Sequence, residues 1–93
     1  MKPWEGPGKA FSFVRELTLE SFQDAVKLGL TKDLLIPVHA EADNALIMTS
    51  NIMQIAARSD CLKSIKLMRG QGFDLNQVDI LFFIFNDIFF YFF

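Results

Sequence analysis

Two side chains in this chain can act as base and nucleophile near neutral pH, His39 and Cys61. Brought together they would form a thiolate–imidazole pair, the arrangement used in acyl transfer. Nothing flanking Cys61 resembles an activating site, so the sequence predicts a packed or half-exposed thiol, with His39 in a loop after Pro37. One Cys and one His fall short of the four ligands of a structural zinc site. The eleven carboxylates are scattered and form no recognisable acid–base pair. Gly6-Pro7-Gly8-Lys9 has the residue types of a phosphate loop without its spacing, which needs four residues between the glycines and a Ser or Thr after the Lys. These residues predict a non-catalytic protein with no cofactor and no metal. Lys63, Lys66 and Arg69 form a basic stripe that reads as the solvated face of a helix, with an acidic partner or anionic headgroups as the alternative.

The elements that would position these residues centre on Asn51 to Asp79. Ile52, Met53, Ile55, Ala56 and Ala57 make a short apolar helix, with Ser50 placed to cap it. Arg58-Ser59-Asp60 breaks the pattern and supplies capping residues for a second helix. Leu62, Ile65 and Met68 recur every three residues on that helix, with Leu67 beside them. Gly70 and Gly72 stop it, and Phe73-Asp74-Leu75-Asn76 reads as a loop. Helices this short are marginal alone in water, so the pair needs neighbours. Residues 1–17 read as an irregular segment, with Trp4 a packing or surface residue and Phe11, Phe13 and Val14 an apolar run of open type. A helix starts near Thr18, capped by Thr18 or by Ser21 with Asp24, and shows Leu19, Phe22, Ala25 and Val26 on one face. Thr31 is placed to cap a brief helix from Lys32 to Ile36, ended by Pro37. A loop over Val38 to Asn44 follows, and Ala45-Leu46-Ile47-Met48 is either a helical turn or an extended piece.

Ala56-Ala57, Lys66-Leu67-Met68, Gly72, Asp74-Leu75-Asn76 and Asp79 together resemble an ankyrin repeat. The family pattern runs T-P-L-H-x-A-A, then K-L-L, then G-A-D-V-N and a later D, and these residues keep its register. Asn51-Ile52-Met53-Gln54 stands where T-P-L-H belongs, so the Thr and His that tie loop to helix are replaced, and Asp60 replaces a Gly. Ala25-Val26-Lys27-Leu28-Gly29 resembles the Ala-Ala-x-x-Gly corner, which makes residues 18–50 a degraded repeat beside the clear one at residues 51–79. The resemblance implies an all-α stack of helix-turn-helix repeats, cut from a longer array. It implies a non-catalytic protein–protein interaction module whose partner is another protein or neighbouring ankyrin repeats. On the family's recognition surface, loop tips and first helices, stand Asn51, Gln54, Arg58, Asp74, Asn76 and Asp79. The Ile-Met before the alanine pair is also similar to repeats of transient receptor potential cation channels. That likeness implies a cytoplasmic amino-terminal region serving tetramer assembly or regulation of a calcium-permeable channel, with membrane contact only through a longer parent.

A net charge of −2 and a pI near 5.2 argue against nucleic-acid binding driven by phosphate contacts. A lone Cys cannot close an internal disulfide and suits a reducing compartment. Residues 1–8 hold prolines and glycines rather than the apolar core of a secretory signal, so the chain reads as cytoplasmic. Seven of the eleven Phe fall in the last twelve residues. Residues 80–93 are shorter than the roughly 20 a bilayer span requires, and Asn86 and Asp87 interrupt them. Phe, Ile, Leu, Asn and Tyr share codons built from A and T alone, so this tail reads as translated AT-rich non-coding sequence and as an aggregation liability.

Overall fold

The computed structural model describes residues 1–75 and Asp79. Its elements run α1 (Lys9–Arg15), α2 (Leu19–Lys27), β1 (Ile36–His39), β2 (Leu46–Ser50), α3 (Ile52–Arg58) and α4 (Leu62–Gly70). Two helix pairs therefore flank a β-hairpin, and the all-α expectation is corrected to a small mixed α/β fold.

β1 forms where the end of a short helix and a loop are expected from the sequence, and β2 takes the extended alternative left open for Ala45-Leu46-Ile47-Met48. Ile36 and Val38 point into the core while Pro37 points out, the period-two pattern of a half-buried strand. β2 answers with Met48 and Ser50 inward and Thr49 outward, in antiparallel register Ile36 to Ser50, Pro37 to Thr49 and Val38 to Met48. Pro37 ends no helix here. Proline is tolerated on an edge strand, and β1 is one edge of a two-stranded sheet. The loop between the strands is closed by the Ala40 N–H donating to the Ala45 carbonyl at 2.8 Å and the Ala45 N–H donating to the Asp43 carboxylate at 3.1 Å.

The open run Phe11, Phe13 and Val14 lies in α1, so residues 9–15 are helical rather than irregular. Trp4 packs edge-on against Phe13 with centroids 6.0 Å apart and belongs to the core. The Gly8 N–H donates to the His39 carbonyl, which pins the N-terminal turn to β1. Thr18 caps α2, exchanging bonds with Ser21. Phe22 and Ala25 are the buried face of α2, while Leu19 and Val26 stay exposed.

The two helix pairs are copies in length and termini. Every landmark of the first recurs 43 residues later: the caps Gly8 and Asn51, the helix starts Lys9 and Ile52, the second caps Thr18 and Cys61, the ends Lys27 and Gly70. Both second helices stop the same way. The Leu30 N–H donates to the Ala25 carbonyl and the Phe73 N–H to the Met68 carbonyl, each at 3.0 Å, around Gly29 at φ 106° and Gly72 at φ 93°. This terminator needs a left-handed residue, and glycine supplies it without a Cβ clash. Gly29 therefore matches Gly72, the end of a second helix, and not the corner inside a pair; the first unit begins at α1. α1 packs against α3 and against β1, and α4 against α3, so one core runs through both units.

Candidate interaction surface

The residues with recognisable chemistry are held apart. His39 ends β1, and its Nδ1 lies 3.2 Å from the Asn44 carbonyl oxygen. Cys61 stands at the head of α4, where its thiol donates to the Ser59 carbonyl at 3.5 Å. Burial pushes the Cys61 thiol up, the Arg15 guanidinium partly offsets this, and Asp60 adds to it. Such a thiol is protonated at neutral pH and a poor nucleophile. Among the described residues no three of His, Cys, Asp and Glu gather as a metal site.

Asn51, Gln54 and Asp79 are brought together at the start of α3. The Gln54 N–H donates to Asn51 Oδ1 at 2.9 Å, and the Asn51 N–H donates to Gln54 Oε1 at 3.3 Å. This reciprocal pair closes two of the backbone donors a helix start leaves open. Asn51, not Ser50, is the cap. Asn51 Nδ2 then donates to Asp79 Oδ1 at 2.9 Å, and both residues are buried, at 7% and 1% exposure. These two side chains are spent on holding the chain after α4 against the start of α3. Arg58 and Asp74 remain exposed at the surface, and Asn76 lies outside the described residues, as does the tail of residues 80–93. Cys61, which accepts no side-chain role at its own helix start, replaces the expected Ser59 or Asp60 cap; the Ser59 hydroxyl is buried without a partner among the described residues, and Asp60 turns at φ 55°.

Three surface features carry no sequence motif. The hairpin exposes Leu46 and Ile47 by half or more, with Leu35 just ahead of β1, and β2 pairs on one side only among the described residues. A cavity of about 380 Å³ opens between α2 and the chain after α4, walled by Phe22, Val26 and Phe73. The outer side of α4 shows Lys63, Lys66 and Arg69 together, as the stripe in the sequence predicts. A four-residue apolar run has no readable period, which leaves β2 ambiguous in the sequence, and the first unit is hidden because α1 and α3 share few identities, with exposed Lys9 and Ser12 standing where Ile52 and Ile55 are buried. No helix among the described residues is long and apolar enough to cross a membrane. Compared with protein-family models, curated proteins and solved structures, the chain matches none.

Proposed function

We propose that this chain is a non-catalytic protein-interaction module of ankyrin type, built from two helix pairs with a projecting hairpin between them. The observation that carries the reading is the 43-residue recurrence of caps, helices and terminators. Repeating units of this kind bury their faces against each other and leave loop tips and first helices for recognition. Asn51 and Gln54 support the ankyrin type in particular. They stand at the Thr and His positions of T-P-L-H and tie loop to helix by a reciprocal bond, as those residues do. The ankyrin unit is 33 residues long. The longer period here is absorbed between Gly29 and Ile52, in the linker and hairpin, and loop length is thermodynamically inexpensive.

A fusion tests this. The full chain is joined behind a designed consensus ankyrin array, so that the array's last helix pair abuts α1. An ankyrin-type module gives one unfolding transition, at a higher midpoint than the chain alone. Two independent transitions, the second at the midpoint of the isolated chain, would refute the reading.

A further inference from the structure

We infer that the outer face of α4 is a docking surface for an acidic amphipathic helix of a partner protein. Lys63, Lys66 and Arg69 all lie exposed on this face, and among the described residues no carboxylate is seen holding Lys63 or Lys66. Their spacing, three residues apart, makes each charge a neighbour of the next along about 9 Å of helix, with the row winding by about 60° at each step.

The internal copy shows that the fold does not ask for these charges. The positions equivalent to Lys63, Lys66 and Arg69 in α2 are Glu20, Gln23 and Val26, and they are exposed in the same way. One unit carries a basic face and the other does without it, in a chain whose net charge is −2. Gly70 adds a separate observation. It is the last residue of α4 and has no positive φ, no described atom would meet a Cβ there within 4 Å, and the equivalent residue in α2 is Lys27. Neither backbone geometry nor packing among the described residues requires glycine at that place. A bare helix surface beside Lys66 is what the backbone of a second helix needs to come close. Leu67, four residues on from Lys63, and Leu62, four residues before Lys66, are half-buried and offer apolar surface to the same partner. The apolar side of α4 is committed to the core through Ile65 and Met68. The helix therefore has no apolar face to insert into a bilayer, and a protein partner whose helix carries carboxylates at i and at i+3 or i+4, facing Lys63 and Lys66, is the occupant that matches; Arg69 has an interaction within the chain.

The test titrates the fluorescently labelled full chain with a synthetic helical peptide bearing Glu at those positions and Leu beside them. A peptide with Gln for Glu and vesicles of phosphatidylserine serve as comparisons. The Glu peptide should bind about tenfold more tightly than the Gln peptide, with the difference shrinking as salt is raised. Lys63→Glu with Lys66→Glu should abolish binding of the Glu peptide and confer binding on a Lys peptide, a gain that a misfolded protein cannot give. Gly70→Gln should weaken binding while the melting temperature holds or rises. Equal affinity for the Glu and Gln peptides, indifference to the charge reversal, or binding to the vesicles alone would overturn the proposal.

Discussion

At the scale of single residues, Asn51 does more than its place in a recognition pattern suggests. Its Oδ1 caps α3 and its Nδ2 satisfies a carboxylate buried 28 positions further on. Asn51→Ala removes both bonds. A lost cap costs about 1 kcal/mol, and losing a hydrogen bond to a carboxylate costs roughly a further 1.5–3 kcal/mol. We expect a urea midpoint lowered by an amount corresponding to about 2–4 kcal/mol with the slope unchanged. A loss under about 0.5 kcal/mol, the usual range for surface substitutions, would mean that the pair holds nothing. Cys61 carries a second expectation. Its thiol ionises at higher pH in the folded chain than in the unfolded one. Below the ordinary thiol range both states hold the proton and stability does not change with pH. As pH rises through that range the unfolded chain loses its proton first, so the unfolded state gains and the fold weakens. Alkylation at pH 8 should accordingly be slower in the native protein than in urea, and an equal or faster native rate would contradict the burial of this thiol.

At the scale of elements, what the sequence made legible follows the length of the pattern. α3 and α4 are readable because apolar residues recur through both and a glycine closes the second. α2 is readable because Thr18 stands at its start. β1 is not, since Ile36-Pro37-Val38-His39 holds a proline that reads as a helix stop, and its strand character comes from pairing with Leu46 to Ser50, a segment the sequence leaves open between helical turn and extended piece. Cross-strand partners are tertiary information, absent from any local window. The candidate surface was legible in the same uneven way. Arg58 and Asp74 are exposed, whereas Asn51 and Asp79 are buried against each other, and a motif does not tell a buried polar pair from a binding pair. The hairpin's own surface has a consequence. β2 carries no charge and no proline, Leu46 and Ile47 are exposed, and one of its edges is open among the described residues. Edges of this kind invite pairing with other chains unless charge blocks them. Leu46→Lys with Ile47→Lys should reduce self-association in sedimentation at raised concentration while shifting the melting temperature little, because neither side chain is in the core. Unchanged association would move the sticky surface elsewhere.

At the scale of the molecule, the question is whether two copied units behave as two or as one. Repeat proteins divide into units when the contacts between neighbours are weak, and melt together when they are strong. Here the bonds between units are varied. α1 packs on α3, the Ser64 hydroxyl of α4 donates to the Val14 carbonyl of α1, and Phe22 of α2 meets Phe73 edge-on with centroids 4.8 Å apart. The hairpin is tied to the first unit as well, through β1 on α1 and through Gly8 on His39. No element of the first unit can leave without exposing part of the second. Trp4 gives a probe on the first unit, being buried against Phe13, while far-UV ellipticity weighs α1 to α4 together. Thermal unfolding followed by both should give one midpoint. Phe73→Ala removes an aromatic pair worth about 0.5–1.5 kcal/mol beyond its area. It should lower the midpoint by several degrees, about 4–8 °C per kcal/mol in a domain of this size. The informative feature is that the substitution sits after α4 and the tryptophan sits before α1. If the units are coupled, Trp4 fluorescence shifts as far as the ellipticity does. If Trp4 keeps its original midpoint while ellipticity loses a fraction at lower temperature, the chain is two modules sharing a hairpin, and the single core described above is only a contact between them.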